Sequence, residues 1–236
     1  MARSSIRKRM KEQWTKNRTM VVLFLLTFVT TCLFIVALLL QNRGMFTITT
    51  PRLDMISYGF VLSETPGFEH PRHELHSSPV IDMWNITESW LPPDLEKTDG
   101  DHNGENYLAF TFYGKNTGIY DFDYRAYLDI REMHLEVDKA LRIRMYINDE
   151  PVLYAKPKSD GSGEPEPGTV PFINDVRMVD VPQRRLNVGQ VDKYTVVAWL
   201  EGEDPECIDS ILGGFVKLQM DFRVVPIKDE DGKQLV

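Results

Sequence analysis

The chain is poor in cysteine, with two in 236 residues. Two thiols cannot form the set of disulfides that holds a small secreted scaffold together. The chain also lacks a G-x-S-x-G elbow, a Walker phosphate loop and a G-x-G-x-x-G dinucleotide fingerprint. It therefore carries none of the usual signatures of serine hydrolases, P-loop enzymes or NAD-dependent oxidoreductases, and we predict no catalytic residue.

Positive charge is scarce after the first 19 residues. Those residues hold seven of the 27 Lys and Arg side chains and one of the 35 Asp and Glu side chains, a net charge of +6. The rest of the chain holds the other 20 basic and 34 acidic side chains, a net charge of -14. Because nucleic-acid binding needs a basic face, this acidic part argues against a nucleic-acid partner.

One long run, from Met20 to Leu40, contains no charged residue. At about 1.5 Å per residue, a helix of this length spans about 30 Å, the thickness of the hydrocarbon core of a bilayer. Basic residues cluster before the run and only Arg43 and Arg52 follow it closely. The positive-inside rule then places the N-terminus in the cytoplasm and the acidic part outside the cell membrane.

This pattern predicts a single-pass protein with the lipid bilayer as one of its partners. A cleaved signal peptide is the alternative, but its apolar region is usually about 7–15 residues and ends in a small-x-small site. Here the apolar run is longer and ends in Leu38-Leu39-Leu40-Gln41-Asn42, which favours an uncleaved anchor. The predicted parts are a basic cytoplasmic tail, a transmembrane helix and an extracellular domain, over 1–19, 20–40 and 41–236.

Apolar and polar residues alternate along several stretches of the exterior part, which is the pattern of strands with one buried face. The clearest are 122–130, 141–147 and 216–224. The stretches 107–113 and 194–200 are apolar on both faces, so we expect them to be central strands. Shorter candidate strands are 46–50, 57–62, 152–156 and 176–181.

Turn residues separate these stretches at roughly 8–12 residue intervals. The predicted fold is therefore mainly β: an antiparallel β-sandwich or jelly roll, plus the N-terminal helix. The segment 65–106 has no clear period and is predicted to be an irregular insertion over one edge of the sandwich. The stretch 157–168 is predicted to be a flexible acidic loop. Residues 131–140 fit either a short helical turn or a β-bulge.

Three of the five histidines lie close together, at His70, His73 and His76. Neutral imidazole is a good zinc ligand, so these residues are a candidate metal site, which His102 could join. The spacing does not match the H-E-x-x-H helix of metalloproteases, and Pro71 and Pro79 disfavour a helix. A solvated polar loop is the alternative.

A second candidate metal site is the acidic run between the last two long strands. Its carboxylates supply the hard oxygen ligands that Ca²⁺ prefers, although the spacing is not that of an EF-hand. The candidate ligands are Glu201, Glu203, Asp204 and Asp209. The run 99–105 has acidic or amide side chains at alternate positions, but it lacks the bidentate Glu of a calcium loop, because Phe110 occupies that position.

The two cysteines do not indicate catalysis. Cys32 lies within the apolar run, so Cys207 has no exterior partner for a disulfide. The acids around Cys207 would raise its thiol pKa rather than activate it. Exposed aromatic residues could instead stack on a carbohydrate, with Trp84, Trp90 and Tyr113 as the candidates; packing in the core is the commoner fate of such side chains.

Two segments carry a resemblance to a known group of proteins. They are Asn106-Tyr-Leu-Ala-Phe-Thr-Phe-Tyr-Gly-Lys-Asn-Thr-Gly118 and Tyr194-Thr-Val-Val-Ala-Trp-Leu200 with the acidic loop after it. Together they resemble the TasA/camelysin group of Gram-positive surface proteins, over roughly 105–225. The resemblance implies a jelly roll at the cell surface, which some members assemble into fibres by donor-strand exchange. The retained anchor departs from that group, and no metal-ligand motif here supports its peptidase activity.

These observations favour a membrane-anchored surface protein whose acidic β-sandwich is a non-catalytic binding, assembly or accessory module. Its expected partner is another surface protein or a cell-wall component. Two alternatives stay open: a metal-dependent hydrolase that uses the loop of His70, His73 and His76, and a carbohydrate-binding sandwich. Zn²⁺ and Ca²⁺ are the candidate cofactors.

Overall fold

The computed structural model describes residues 2–41, 46–50 and 53–225, with side chains described for 17–36, 46–50 and 55–225. The chain divides into two compact units, Met1–Arg43 and Gly44–Val236. We describe each unit by itself.

The first unit is one helix, α1, from Ala2 to Gln41. Its segment Asn17–Val36 is long and apolar enough to cross a membrane, and none of its side chains is buried within the protein. Thr27 and Thr31 donate hydrogen bonds to carbonyl groups one turn earlier, at 2.8 Å each. Their hydroxyl groups are thereby satisfied inside an apolar helix, as expected for Thr in such a segment.

Among its described residues, the second unit contains two β-sheets, four single 3₁₀ turns and one short α-helix, α2, Leu53–Ser57. The first sheet has the strand order β10-β6-β13-β1-β3, and β11 also pairs with β6. Its strands are β1 Phe46–Thr49, β3 Glu74–His76, β6 Phe122–His134, β10 Arg177–Asp180, β11 Arg184–Leu186 and β13 Phe215–Val225.

The second sheet has the order β2-β5-β12-β7-β8-β9, and β4 also pairs with β5. Its strands are β2 Phe60–Ser63, β4 Gly100–Asp101, β5 Leu108–Asn116, β7 Leu141–Ile147, β8 Glu150–Ala155, β9 Val170–Pro171 and β12 Val191–Leu200.

Both sheets are mixed, which corrects the expectation of a purely antiparallel sandwich. β1 runs parallel to β13, and β8 runs parallel to β9. Parallel neighbours require a long crossover between the two strands. For β1 and β13 the crossover comprises most of the domain. The alternation of residues within either strand therefore could not predict that the two strands pair in parallel.

The sheets face each other across one apolar core to which both contribute, and aromatic contacts bridge them. Phe46 meets Phe110 edge-on at 6.2 Å between ring centroids, and Phe112 meets Phe222 at 6.1 Å. A smaller apolar cluster lies on the other, outer face of the second sheet, where Ile86 and Leu95 cover Trp199. This cover explains why β5 and β12 are apolar on both faces.

The two alternatives for residues 131–140 both occur. The pairing of β6 with β13 shifts register at Arg131, because Glu132 pairs with Lys217 and Ile130 with Leu218. Arg131 is thus the extra residue of a β-bulge. A single 3₁₀ turn, Val137–Lys139, follows.

Candidate functional site

A groove of about 950 Å³ lies on the outer face of the second sheet. Its floor includes Arg142 and Arg144 of β7 and Leu153 of β8, and its walls come from three connecting segments. We call it the charged groove. The wall residues are Thr87, Glu88, Ser89, Leu91, Lys158, Glu166, Pro167, Thr169, Glu201, Glu203, Asp204 and Pro205.

Arg142 is the buried cation of the charged groove, with 5% of its surface exposed. It points to the outer face because β7 alternates, with Ile143 turned to the core. Its Nη2 donates to Oδ2 of Asp204 at 2.5 Å and lies 3.8 Å from Oε2 of Glu166. Its Nη1 is buried and has no hydrogen-bond acceptor among the described residues.

Arg144, two residues further along β7, is held between an acid and an aromatic ring. It pairs with Glu88 across the groove, and its guanidinium lies 5.4 Å from the ring centroid of Trp199. The Trp199 indole N–H donates to Oε2 of Glu201 at 3.0 Å, and the backbone N–H of Glu88 donates to the same oxygen at 3.2 Å. Glu201 thus ties two groove segments together.

Three carboxylates come close together beside Arg142, and two of them, Glu166 and Asp204, line the groove. Oxygen atoms of Glu166, Asp204 and Glu206 all lie within 4.8 Å of one another. The Glu206 pKa is raised because its carboxyl group shares a hydrogen bond with Asp204 and is partly buried. This carboxylate trio offers the oxygen ligands of a hard cation or can share a proton. Arg142 already occupies one oxygen of Asp204, so it competes with any metal ion there.

The structure does not gather the three predicted histidine ligands into one site. His76 lies on β3, where its Nδ1 is 3.3 Å from Oγ1 of Thr47, and Nδ1 of His73 is 3.5 Å from Oγ1 of Thr50. His70 is exposed. Within the described residues, the carboxylate trio is the one group of metal-ligating side chains with suitable spacing. Zinc binding by these histidines stays a prediction.

The four predicted acidic ligands separate into different roles. Asp204 joins the carboxylate trio, Glu201 binds the Trp199 indole, and Glu203 lines the groove. Asp209 begins a separate 3₁₀ turn, Asp209–Ile211. Only Asp204 of the four therefore contributes to the trio, and its companions come from positions that the spacing did not single out.

Side chains of the acidic run 99–105 form hydrogen bonds within the insertion and with β5. Asp99 accepts a hydrogen bond from the Tyr113 hydroxyl at 2.5 Å, and Asp101 accepts one from the backbone N–H of Ser78 at 2.6 Å. The Asn103 amide donates to the carbonyl of Ser78 at 2.8 Å. Tyr113 itself is 8% exposed, so it is not a surface stacking platform.

Cys207 lies beside the carboxylate trio and is half-buried. Burial raises its thiol pKa, and the charges of Asp204 and Glu201 raise it further. The thiol is thus poorly activated, as the sequence predicted.

Sequence reasoning missed Arg142, Glu166 and Glu206 as site residues. Arg142 occupies an ordinary outward position of an alternating strand. Glu166 lies within the stretch predicted to be a flexible loop, yet it is buried beside that strand. Glu206 was part of the acidic run, but no spacing rule separated it from its neighbours. No local signal pairs a loop carboxylate with a strand arginine.

Comparison with known proteins adds little. No protein-family model and no curated protein matches the chain. Among solved structures, a β-glucosidase from Kluyveromyces marxianus in complex with glucose is similar at a TM-score of 0.29 and 17% identity, over 57% of this chain and 14% of that one. The selenomethionine-labelled β-glucosidase from the same organism gives 0.23 and 17%, over 73% and 16%. The chain thus spans about a seventh of those proteins, and TM-scores of this size decide neither fold nor function.

Proposed function

We propose that this chain is a single-pass, membrane-anchored surface protein whose acidic β domain is a non-catalytic binding module, with the charged groove as its binding surface. The observation that carries the proposal is the buried ion pair between Arg142 and Asp204 beneath the groove. Arg144 and Glu201 are also committed to internal partners. Such groups form a preorganised surface rather than a free base or nucleophile.

The membrane topology follows from charge. The segment Asn17–Val36 is the span, and the basic residues before it favour a cytoplasmic N-terminus with the β domain outside. We also propose the jelly-roll connectivity and the Gram-positive cell-surface location that the resemblance to the TasA/camelysin group implies. Protease added to intact cells should digest the β domain and spare an N-terminal tag. A protected β domain would contradict this orientation.

Binding is testable with the full-length protein in lipid nanodiscs. The partner is another surface protein or a cell-wall component, so the probe is the isolated cell envelope of the host. Glu203 lies on the groove wall and is exposed, and Glu150 is exposed on β8 outside the groove lining. Glu203→Lys should weaken envelope binding several-fold, because it reverses a charge on the binding surface, whereas Glu150→Lys makes the same change elsewhere.

The comparison of these two variants decides the proposal. Loss of binding with Glu203→Lys alone supports the groove as the binding surface. Equal binding by both variants, or no envelope binding by the unmodified protein, would contradict it.

A further inference from the structure

Strand ends from both sheets meet at one end of the β domain. In the first sheet, the first residue of β1, Phe46, pairs with Leu218, close to the start of β13. In the second sheet, the end of β12 at Leu200 pairs with the start of β7 at Leu141. A cavity of about 270 Å³ lies between these strand ends, lined by Leu141 and Leu218 among others. We call this the entry end, because β1, the first strand of the domain, begins there.

The entry end exposes apolar side chains to solvent. A second cavity, of about 500 Å³, shares Met83, Val137 and Leu200 with the first and is also lined by Trp84 and Leu212. Trp84 is 68% exposed and Leu212 is 66% exposed. Among the described residues of this end, the exposed large apolar side chains are those of Ile81, Trp84, Leu135, Ile208, Leu212 and Phe215. We call these six residues the apolar rim, and such a concentration beside apolar cavities indicates an interaction surface.

The chain enters the domain at this end directly from the apolar helix. α1 ends at Gln41, and β1 begins at Phe46. An extended chain covers at most about 3.6 Å per residue, so the link from Gln41 to Phe46 spans at most about 18 Å. In a single-pass protein whose span ends near Gln41, the entry end is therefore tethered close to the membrane surface.

We infer that the apolar rim lies in the interface of the lipid bilayer, so that the β domain contacts the membrane that anchors it. This inference rests on the proposed single-pass anchor and adds a second membrane contact to it. Trp is favoured at membrane interfaces, because its ring is apolar and its N–H can bind water or headgroups. The aliphatic residues and Phe215 gain by leaving water.

The short tether favours lipid over any other cover for the apolar rim. It keeps the rim at a high effective concentration near the bilayer, so a weak apolar contact is enough. A second copy or a soluble partner has no such advantage. The exposed charges beside the rim, Asp82 and Asp209, are acidic and would be repelled by anionic lipid. The contact should therefore depend on apolar burial and form on neutral lipid.

The opposite end of the domain provides a comparison. It also exposes apolar residues, with Ile119 between β5 and β6 and Val188 between β11 and β12. Strand β5 runs from the entry end to the connection that carries Ile119, a distance of about 30 Å at the usual rise per residue. Ile119 thus resembles the rim residues in exposure but lies beyond the reach of a bilayer that the rim contacts.

The test uses the full-length protein in phosphatidylcholine nanodiscs, made with ordinary lipid or with lipid brominated in the upper part of its acyl chains. Bromine quenches Trp fluorescence on contact. Trp14→Phe with Trp90→Phe leaves Trp84 and the fully buried Trp199 as fluorophores. We expect brominated discs to lower the emission by about a third or more, because an interfacial apolar face lies about 5–10 Å deep, at the boundary between headgroups and acyl chains.

The matched control moves the fluorophore to the opposite end. Trp84→Phe with Ile119→Trp, in the same background, should show no quenching. Leu212→Glu places a charge on the rim and should reduce the quenching of Trp84 about twofold or more, whereas Ile119→Glu makes a similar change at the opposite end and should leave it unchanged.

An unquenched Trp84, or equal quenching of the fluorophores at positions 84 and 119, would overturn the inference. Dimers that form in discs carrying two copies, dissociate with Leu212→Glu and leave Trp84 unquenched would make the rim a contact between copies, which also overturns it.

The outcomes separate this inference from the proposed function. A protein that does not co-purify with the discs contradicts the proposed anchor, and the inference with it. A protein that enters the discs with Trp84 unquenched contradicts the inference alone. Envelope binding through the charged groove is tested independently, by Glu203→Lys.

Discussion

At the scale of single residues, Arg142 combines two opposed energetic effects. Burying a guanidinium is costly, and its contact with the fully buried Asp204 side chain offsets that cost. The pair therefore adds less to stability than its short distance suggests. Removing only one partner is different, because the remaining charge is then left without compensation.

We predict that Arg142→Met destabilises the protein by about 3–5 kcal/mol, because Asp204 would stay buried without its cation. Chemical denaturation of the full-length protein in detergent, followed by near-ultraviolet circular dichroism, measures the loss. The double variant Arg142→Met/Asp204→Leu, which removes both charges, should recover most of it. A loss below about 1 kcal/mol for the single variant would show that Asp204 is readily solvated.

Glu206 gives a pH-dependent prediction. Its pKa is raised above the ordinary value of 4.5, mainly by the hydrogen bond shared with the Asp204 carboxyl. The folded protein thus binds this proton more tightly than the unfolded chain, so its contribution is fully present below about pH 4.5 and lost as pH rises through the raised pKa.

Glu206→Gln mimics the protonated form, so it should be more stable than the unmodified protein at pH 7. The difference should vanish below about pH 4.5, where Glu206 is itself protonated. Thermal unfolding at pH 7 and at pH 4 measures both values. A stability difference that does not change with pH would contradict the assignment.

At the scale of elements, β1 has an importance that its four residues do not suggest. It lies inside the first sheet, parallel to β13 and antiparallel to β3, so it completes the hydrogen bonding of two strands. Its inward side chains, Phe46 and Ile48, are completely buried. At the start of the domain, β1 therefore pairs with β13, which is the last strand in the described part of the chain.

We predict that Phe46→Ala costs about 3–5 kcal/mol, because it leaves a cavity against Phe110 of the opposite sheet. Thr47→Ala, on the outward face of the same strand, should cost less than about 1 kcal/mol. Denaturation of both variants tests the difference. Similar losses would mean that β1 contributes through its backbone rather than through core packing.

At the scale of the whole molecule, the net charge of -8 is a sum of unlike parts. About +6 belongs to the first 19 residues and -14 to the part after the apolar run. The apolar core that the two sheets enclose belongs entirely to the second unit. We therefore expect that unit to be folded and soluble without the helix.

The prediction is that residues 44–236 alone give a monodisperse protein with a cooperative unfolding transition. Size-exclusion chromatography and near-ultraviolet circular dichroism test it. Starting at residue 51 instead removes β1 and exposes the edge of β13, so that shorter form should associate. A molten product from residues 44–236 would show that the core depends on the helix.

Much of the fold could be predicted from local pattern. Strands β6, β7, β12 and β13 follow apolar alternation or apolar runs, and α1 contains the charge-free run. The short strands β3, β4, β9 and β11 were missed, because two or three residues are too few to show a period. Their existence depends on longer strands elsewhere that offer an edge to pair with.

The site was predicted less well than the fold. Asp204 was named as a metal ligand, because acidic runs stand out along a chain. Glu166 and Arg142 were not, because 24 positions separate them in the sequence and neither is unusual where it stands. Their contact depends on how a loop folds back over β7.

By itself the sequence determined the apolar helix, the opposite charges on its two sides and the mainly β character of the rest. These properties depend on hydrophobicity, charge and a period of two, and they need no partner from elsewhere in the chain. The tertiary structure alone decided the parallel placement of β1 against β13 and the burial of Arg142 among the loop acids. Both depend on contacts between distant segments, which exist only when the two sheets have closed around their core.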